Sequence, residues 1–152
     1  MTTTTQAATI LVVDDDEGCR EIAARLLERA GYRTRRAESG DECLRIALAG
    51  PIDVILLDIM MPGMDGFAVC EALRAAGKRI PVILLTARDD MDTRLEGMNL
   101  GVSEFLTKPI NRVELLARVA AQIHILELAR QLESVERNLK ALGQAGQTEP
   151  RR

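Results

Sequence analysis

Four apolar runs in this chain each end on a residue suited to phosphate or to a hard metal ion. Residues 10–13 lead into Asp14-Asp15-Asp16, residues 54–57 into Asp58, residues 82–85 into Thr86, and residues 105–107 into Lys108-Pro109. An ionised carboxylate can attack phosphorus and form an acyl phosphate. The incoming phosphoryl group is itself anionic, so a cluster of carboxylates would repel it unless a cation intervenes. Mg²⁺ (or Mn²⁺) is well suited, because it takes hard oxygen ligands, keeps several waters and binds one or two carboxylates together with phosphate oxygens. Asp15 and Asp58 supply direct carboxylates, Asp14 holds a metal-bound water, and a backbone carbonyl just past Asp58, assigned to Met60, completes the protein's share. Lys108 brings a positive charge and Thr86 a hydroxyl donor to the phosphoryl oxygens. Catalysis of this kind is mainly positioning and charge neutralisation. Each residue alone has an ordinary explanation; Asp16, for instance, reads as a helix N-cap. Their joint occurrence at four strand ends is what points to a site.

The groups meet only if the strands lie parallel, because open α/β sheets gather functional residues at the carboxyl ends of their strands. The pattern between them supports this. Apolar residues at spacings of three and four mark helices after each run. Cys19, Ile22, Ala23, Leu26, Leu27 and Ala30 predict a first inward face, Leu44, Ala47 and Leu48 a second, and Phe67, Cys70 and Leu73 a third. A fourth helix over about 89–100 carries Met91, Leu95 and Met98. Ser39 or Gly40, Asp65 and Asn111 stand as N-caps, and Gly31, Gly77 and Gly101 as C-terminal stops. Residues 32–37 form a weaker edge strand. Five β-α repeats imply a parallel sheet covered on both faces by helices.

Bulk properties narrow the function classes. The 152 residues are 47% hydrophobic, enough for one domain with a core. The net charge of −3 offers no electrostatic case for nucleic acid, and with Tyr32, Phe67 and Phe105 as the sole aromatics there is little for bases to stack on. Cys19, Cys43 and Cys70 are odd in number and lack metal-ligand spacing, so they read as free thiols. His124 has no partner in the pattern and reads as a helix-surface residue. Residues 1–8 carry no secretory signal, and no run is long enough to span a bilayer. These features predict a cytoplasmic location.

The last helix outruns the sheet. Beyond residue 124 its apolar positions are Ile125, Leu128, Leu132, Val135, Leu139 and Leu142, spaced 3-4-3-4-3 as in a coiled-coil seam. The predicted division is a disordered tail over 1–8, the domain over 9–124, a helical or coiled-coil extension over 125–142 and a disordered tail over 143–152. A homodimer through the extension is the expectation, with Ala129, Gln131, Glu136 and Asn138 flanking the seam and encoding little partner preference.

The stretches ILVVDDDEG, VILLDIMMPGMDGF, PVILLTA and FLTKP, in this order, resemble the receiver domain of two-component response regulators over residues 9 to about 124. The resemblance implies a flavodoxin-like, doubly wound five-stranded parallel sheet of order 2-1-3-4-5. It implies Asp58 as phosphoacceptor, Asp14 and Asp15 as the Mg²⁺-binding pair, Thr86 and Lys108 as switch hydroxyl and lysine, Phe105 as a rotating aromatic, and a cis peptide at Lys108-Pro109. The implied phosphoryl donor is a phosphohistidine on a sensor histidine kinase or phosphotransfer protein. Met60 and Arg88 stand at the positions that tune phosphoryl lifetime in the family; neither suits orientation of an attacking water, so slow self-dephosphorylation is expected. Such a domain is a phosphoacceptor regulator rather than an enzyme. No DNA-binding pattern follows it here, which leaves a stand-alone regulator or a piece of a longer protein as expectations. Two competing readings remain. A haloacid-dehalogenase-type phosphatase would use Asp14 as nucleophile, but lacks the expected Thr after its Asp pair and leaves Asp58 unexplained. A phosphorylation-independent dimeric adaptor would not use the site at all.

Overall fold

A computed structural model describes residues 7–87 and 91–147. Five strands alternate with five helices: β1 (Thr9–Val13), α1 (Glu17–Arg29), β2 (Arg33–Ala37), α2 (Gly40–Ala49), β3 (Val54–Asp58), α3 (Gly66–Ala75), β4 (Val82–Thr86), α4 (Met91–Asn99), β5 (Glu104–Thr107) and α5 (Arg112–Gln147). All strand pairs are parallel, in the order β2-β1-β3-β4-β5. This is the expected flavodoxin-like sheet, with β2 at one edge. β3 and β4 are buried along their whole length, which is why they are written as unbroken apolar runs rather than as alternating ones.

The helices start where short polar side chains can accept from free N–H groups. Asp16 accepts from Cys19 N–H, Ser39 from Glu42 N–H, Asp65 from Ala68 N–H and Asn111 from Glu114 N–H. Gly31, Gly77 and Gly101 follow α1, α3 and α4 with φ of +99°, +74° and +80°, the left-handed geometry that closes a helix most cheaply at glycine.

The sheet separates two apolar layers. α1 and α5 pack on one face, around Ile10, Val12, Leu27, Leu56, Ile83, Leu115 and Val119. α2, α3 and α4 pack on the other, where Leu11, Leu57 and Leu84 meet Cys43, Ile46, Val69 and Leu73. Several predicted inward faces need correction. In α1 it is Ala23, Ala24 and Leu27 that are buried, while Ile22 is exposed. In α2 the buried set is Cys43, Ile46 and Ala47, with Leu48 exposed. In α4 Met91, Leu95 and Met98 all face out, and the buried residue is Gly97. A Cβ on Gly97 would lie 2.5 Å from Phe105 Cζ and 3.2 Å from Leu84 Cδ1, so α4 approaches the sheet by its glycine. Small residues let a helix come close, and closeness rather than hydrophobicity selects the buried face here. α5 also passes the expected stop at Gly143 and runs unbroken over 36 residues.

Candidate phosphoacceptor site

Four of the five strand ends deliver functional groups to the same crevice. Asp14 follows β1 directly, and Asp58 and Thr86 are the last residues of β3 and β4. Lys108 follows β5 and is held there because its N–H donates to the Thr86 carbonyl at 2.8 Å. Its peptide bond to Pro109 is cis, as expected. Asp14, Asp58 and Thr86 are buried, whereas Asp15 is exposed at the mouth of the crevice. One carboxylate oxygen from each of Asp14, Asp15 and Asp58 lies within 4.8 Å of the other two. Three hard oxygen donors at that spacing fit Mg²⁺ or Mn²⁺.

Lys108 Nζ lies 3.0 Å from Asp14 Oδ2 and 3.4 Å from Asp58 Oδ2, so one ammonium bridges both buried carboxylates. The other Asp14 oxygen accepts the Asp16 N–H at 2.9 Å, which fixes the turn into α1. Asp58 Oδ1 accepts the Met60 N–H at 3.4 Å, and the Met60 side chain points into solvent. Among the described residues no buried side-chain polar atom lacks a partner.

Burial, together with the neighbouring charge of Asp14, pushes the Asp58 carboxyl up to about 6, against a partial offset from Lys108. Burial works to lower the Lys108 pKa, but the hydrogen bond to Asp14 and the charges of Asp58 and Asp14 outweigh it and hold the ammonium above its ordinary value. The site thus pairs a reluctant carboxylate with a persistent cation.

Phe105 is half-buried between β4 and α4, its ring against Gly97 and Leu84 and the Arg94 guanidinium 5.4 Å from its centroid. Arg88 lies outside the described residues. Two participants escaped sequence reasoning. Arg20 Nη1 donates to the Asp14 carbonyl at 2.8 Å and braces the acidic turn. Cys19 stands in the first turn of α1, and burial pushes its thiol above its ordinary pKa, against a partial offset from the Lys108 charge. The only sequence signal for either was its place one turn past the Asp16 cap.

Comparison with known proteins agrees with this geometry. The family profile of the response regulator receiver domain matches residues 10–120. The response regulator MprA of Mycolicibacterium vanbaalenii is 43% identical over 112 residues, covering 74% of this chain and 48% of that protein. The chain spans about half the length of the MprA proteins it matches. Among solved structures, the chemotaxis protein CheY4 of Vibrio cholerae superposes with a TM-score of 0.71 at 33% identity, covering 76% of this chain and 98% of that one. The receiver domain of the Francisella response regulator 1452 gives 0.73 at 35% identity, covering 76% and 95%. With the profile spanning most of the chain and the acidic triad and lysine at the matching strand ends, the chain belongs to the response regulator receiver family.

Proposed function

We propose that Asp58 accepts a phosphoryl group from the phosphohistidine of a sensor kinase or phosphotransfer protein. An Asp58 carboxylate oxygen attacks phosphorus, the P–N bond to the imidazole breaks, and the bond's electron pair leaves with the ring. Asp14, Asp15, Asp58 and the Met60 carbonyl would hold Mg²⁺ or Mn²⁺, whose charge offsets repulsion between phosphate and carboxylates. Lys108 and the Thr86 hydroxyl neutralise and orient the transferred oxygens. The observation that carries this reading is the acidic triad within 4.8 Å at the carboxyl ends of β1 and β3, with the Lys108 ammonium bridging it. Incubation with acetyl phosphate and Mg²⁺ should add one phosphoryl group by intact mass, and Asp58→Asn should abolish the gain. Equal labelling of the variant refutes the assignment. Modification at Asp14 would favour the phosphatase chemistry, and an unlabelled parent the adaptor reading.

The output follows from the same site. Phosphorylation draws Thr86 toward the phosphoryl group, and the room it leaves lets Phe105 move, which biases the surface of α4, β5 and α5 toward a second arrangement. Amide spectra recorded with beryllofluoride and Mg²⁺ should shift from Thr86 through Lys108; shifts confined to the Asp58 loop would refute the switch. With Met60 and Arg88 at the lifetime-tuning positions, autodephosphorylation is slow, and a half-life of seconds in a radiolabel chase would contradict this. The domain works in the cytoplasm beside its kinase; among the described residues no helix is long and apolar enough to cross a membrane. Its second protein partner is another copy of the chain, paired along the seam of the extension over 125–142.

A further inference from the structure

α5 carries two apolar stripes on opposite sides. The first, Leu115, Val119, Ile123 and Leu126, packs on the sheet layer shared with α1. One turn further along the same side stands Arg130, whose Nη2 lies 2.9 Å from Asp53 Oδ1. The other oxygen of Asp53 accepts the Thr9 N–H at 2.8 Å, so this carboxylate ties α5 to the entrances of both β1 and β3. The second stripe is the seam, and its six residues, Ile125, Leu128, Leu132, Val135, Leu139 and Leu142, are each at least half exposed. With Ile125 at a and Leu128 at d, Arg130 falls at f. At about 100° per residue, f lies roughly opposite the a/d edge. The contacts of α5 with its own domain, from Leu115 and Val119 to Arg130, therefore lie on the side opposite the seam, which faces directly away from that domain.

We infer that Asp53 and Arg130 are a positioning pair that aims this seam at a second copy, so that two chains join along the α5 arms alone while their receiver bodies sit on the two outer sides of the coil. This rests on the homodimer reading and adds its geometry. A second copy fits because the seam is self-matching, and because the flanking positions Ala129, Gln131 and Asn138 are neutral. In a parallel pair the one charged flanking residue, Glu136, comes opposite Gln131, so no like charges face each other. The helix continues seventeen residues past Arg130, to Gln147, which gives the pairing its length. The bodies, fastened on the f side of each arm, do not meet. The exposed face of α4 therefore stays open in the dimer.

The test uses the full chain. Sedimentation velocity over a micromolar range should show a dimer for the parent, a monomer for Leu132→Asp, and an unchanged dimer for Leu95→Asp on α4, with far-UV circular dichroism confirming that each variant is folded. A parent that stays monomeric at the highest concentration overturns the homodimer reading itself. A parent that dimerises, with Leu95→Asp rather than Leu132→Asp breaking it, overturns the arm-only geometry while leaving dimerisation intact. Arg130→Ala and Asp53→Asn then isolate the lock. Both should remain dimeric, and small-angle scattering should show a broadened separation between the two bodies; a separation unchanged from the parent overturns the positioning role.

Discussion

α3 and α4 lie on the same face of the sheet, yet they are held by different means. α3 buries Val69, Cys70 and Leu73 in the apolar layer. Its first residue, Gly66, sits so close to β3 that a Cβ there would lie 2.8 Å from the Asp58 carbonyl, and its N–H donates to the Ile59 carbonyl at 2.9 Å. α4 buries one glycine and turns its methionines and leucine to solvent. Arg74 of α3 reaches across to it, donating to the Asn99 carbonyl at 3.0 Å and so capping its end. A helix with so little buried apolar area is cheap to displace. The sheet thus has a firmly packed wall beside Asp58 and a loosely seated one beside Thr86 and Phe105, which would suit the proposed switch by letting one move while the other stays.

The largest test of this contrast is Leu73→Ala, which should cost about 2–5 kcal/mol in urea unfolding, the range for a fully buried leucine. Next comes Gly97→Val. The added branch has no space against Phe105 and Leu84, so it should destabilise by about 1–3 kcal/mol and shift Phe105 ring resonances, with the α3 amides unmoved. If Gly97→Val disturbed α3 as much as α4, the two helices would be one unit and the contrast would fail.

A smaller effect is expected from pH, through the end of β3 on which α3 rests. Asp58 titrates near 6 in the fold against an ordinary value of 3.8, so the folded protein holds its proton more tightly than the unfolded chain. The resulting penalty is absent below 3.8, grows as pH rises between 3.8 and about 6, and is complete above. In the metal-free protein the urea midpoint should therefore carry a downward contribution across that window as pH rises. Asp58→Asn should remove it and raise the midpoint at neutral pH relative to the parent. If Asp58 is the attacking group, the same ionisation should make labelling by acetyl phosphate slow as pH falls through about 6 at low Mg²⁺. The smallest effect belongs to Leu95→Ala, expected within about 0.5 kcal/mol because the side chain is already half in water.

Much of this organisation was legible in the chain. The capping residues Asp16, Asp65 and Asn111 marked helix starts because a short side-chain oxygen before an apolar-periodic run has few other uses. Asp14, Asp58, Thr86 and Lys108 stood out because buried parallel strands are written as plain apolar runs, and polar residues at their ends are conspicuous. The buried faces of α1, α2 and α4 were less readable. Ranking positions by hydrophobicity favoured Ile22 and Met91, whereas close approach to the sheet selected Ala24 and Gly97; in α2 Ala47 is buried as expected, while Leu48 faces out and Cys43 and Ile46 are buried beside it. The brace from Arg20 and the tie between Asp53 and Arg130 join residues whose proximity only the finished topology creates. Nothing in local spacing distinguishes such an arginine from a solvated one.

The geometry of α5 has one more consequence. The helix begins four residues after Lys108, at the rim that holds the acidic cluster, and its 36 residues reach about 54 Å, well beyond the opposite end of the strands. It is a single rod touching both poles of the domain. The seventeen residues beyond Arg130 extend about 25 Å past its tie to Asp53, so a tilt of about 5° about that anchor would move the far tip by roughly 2 Å. A small change in how Asp53 holds Arg130 is in this way magnified at the tip.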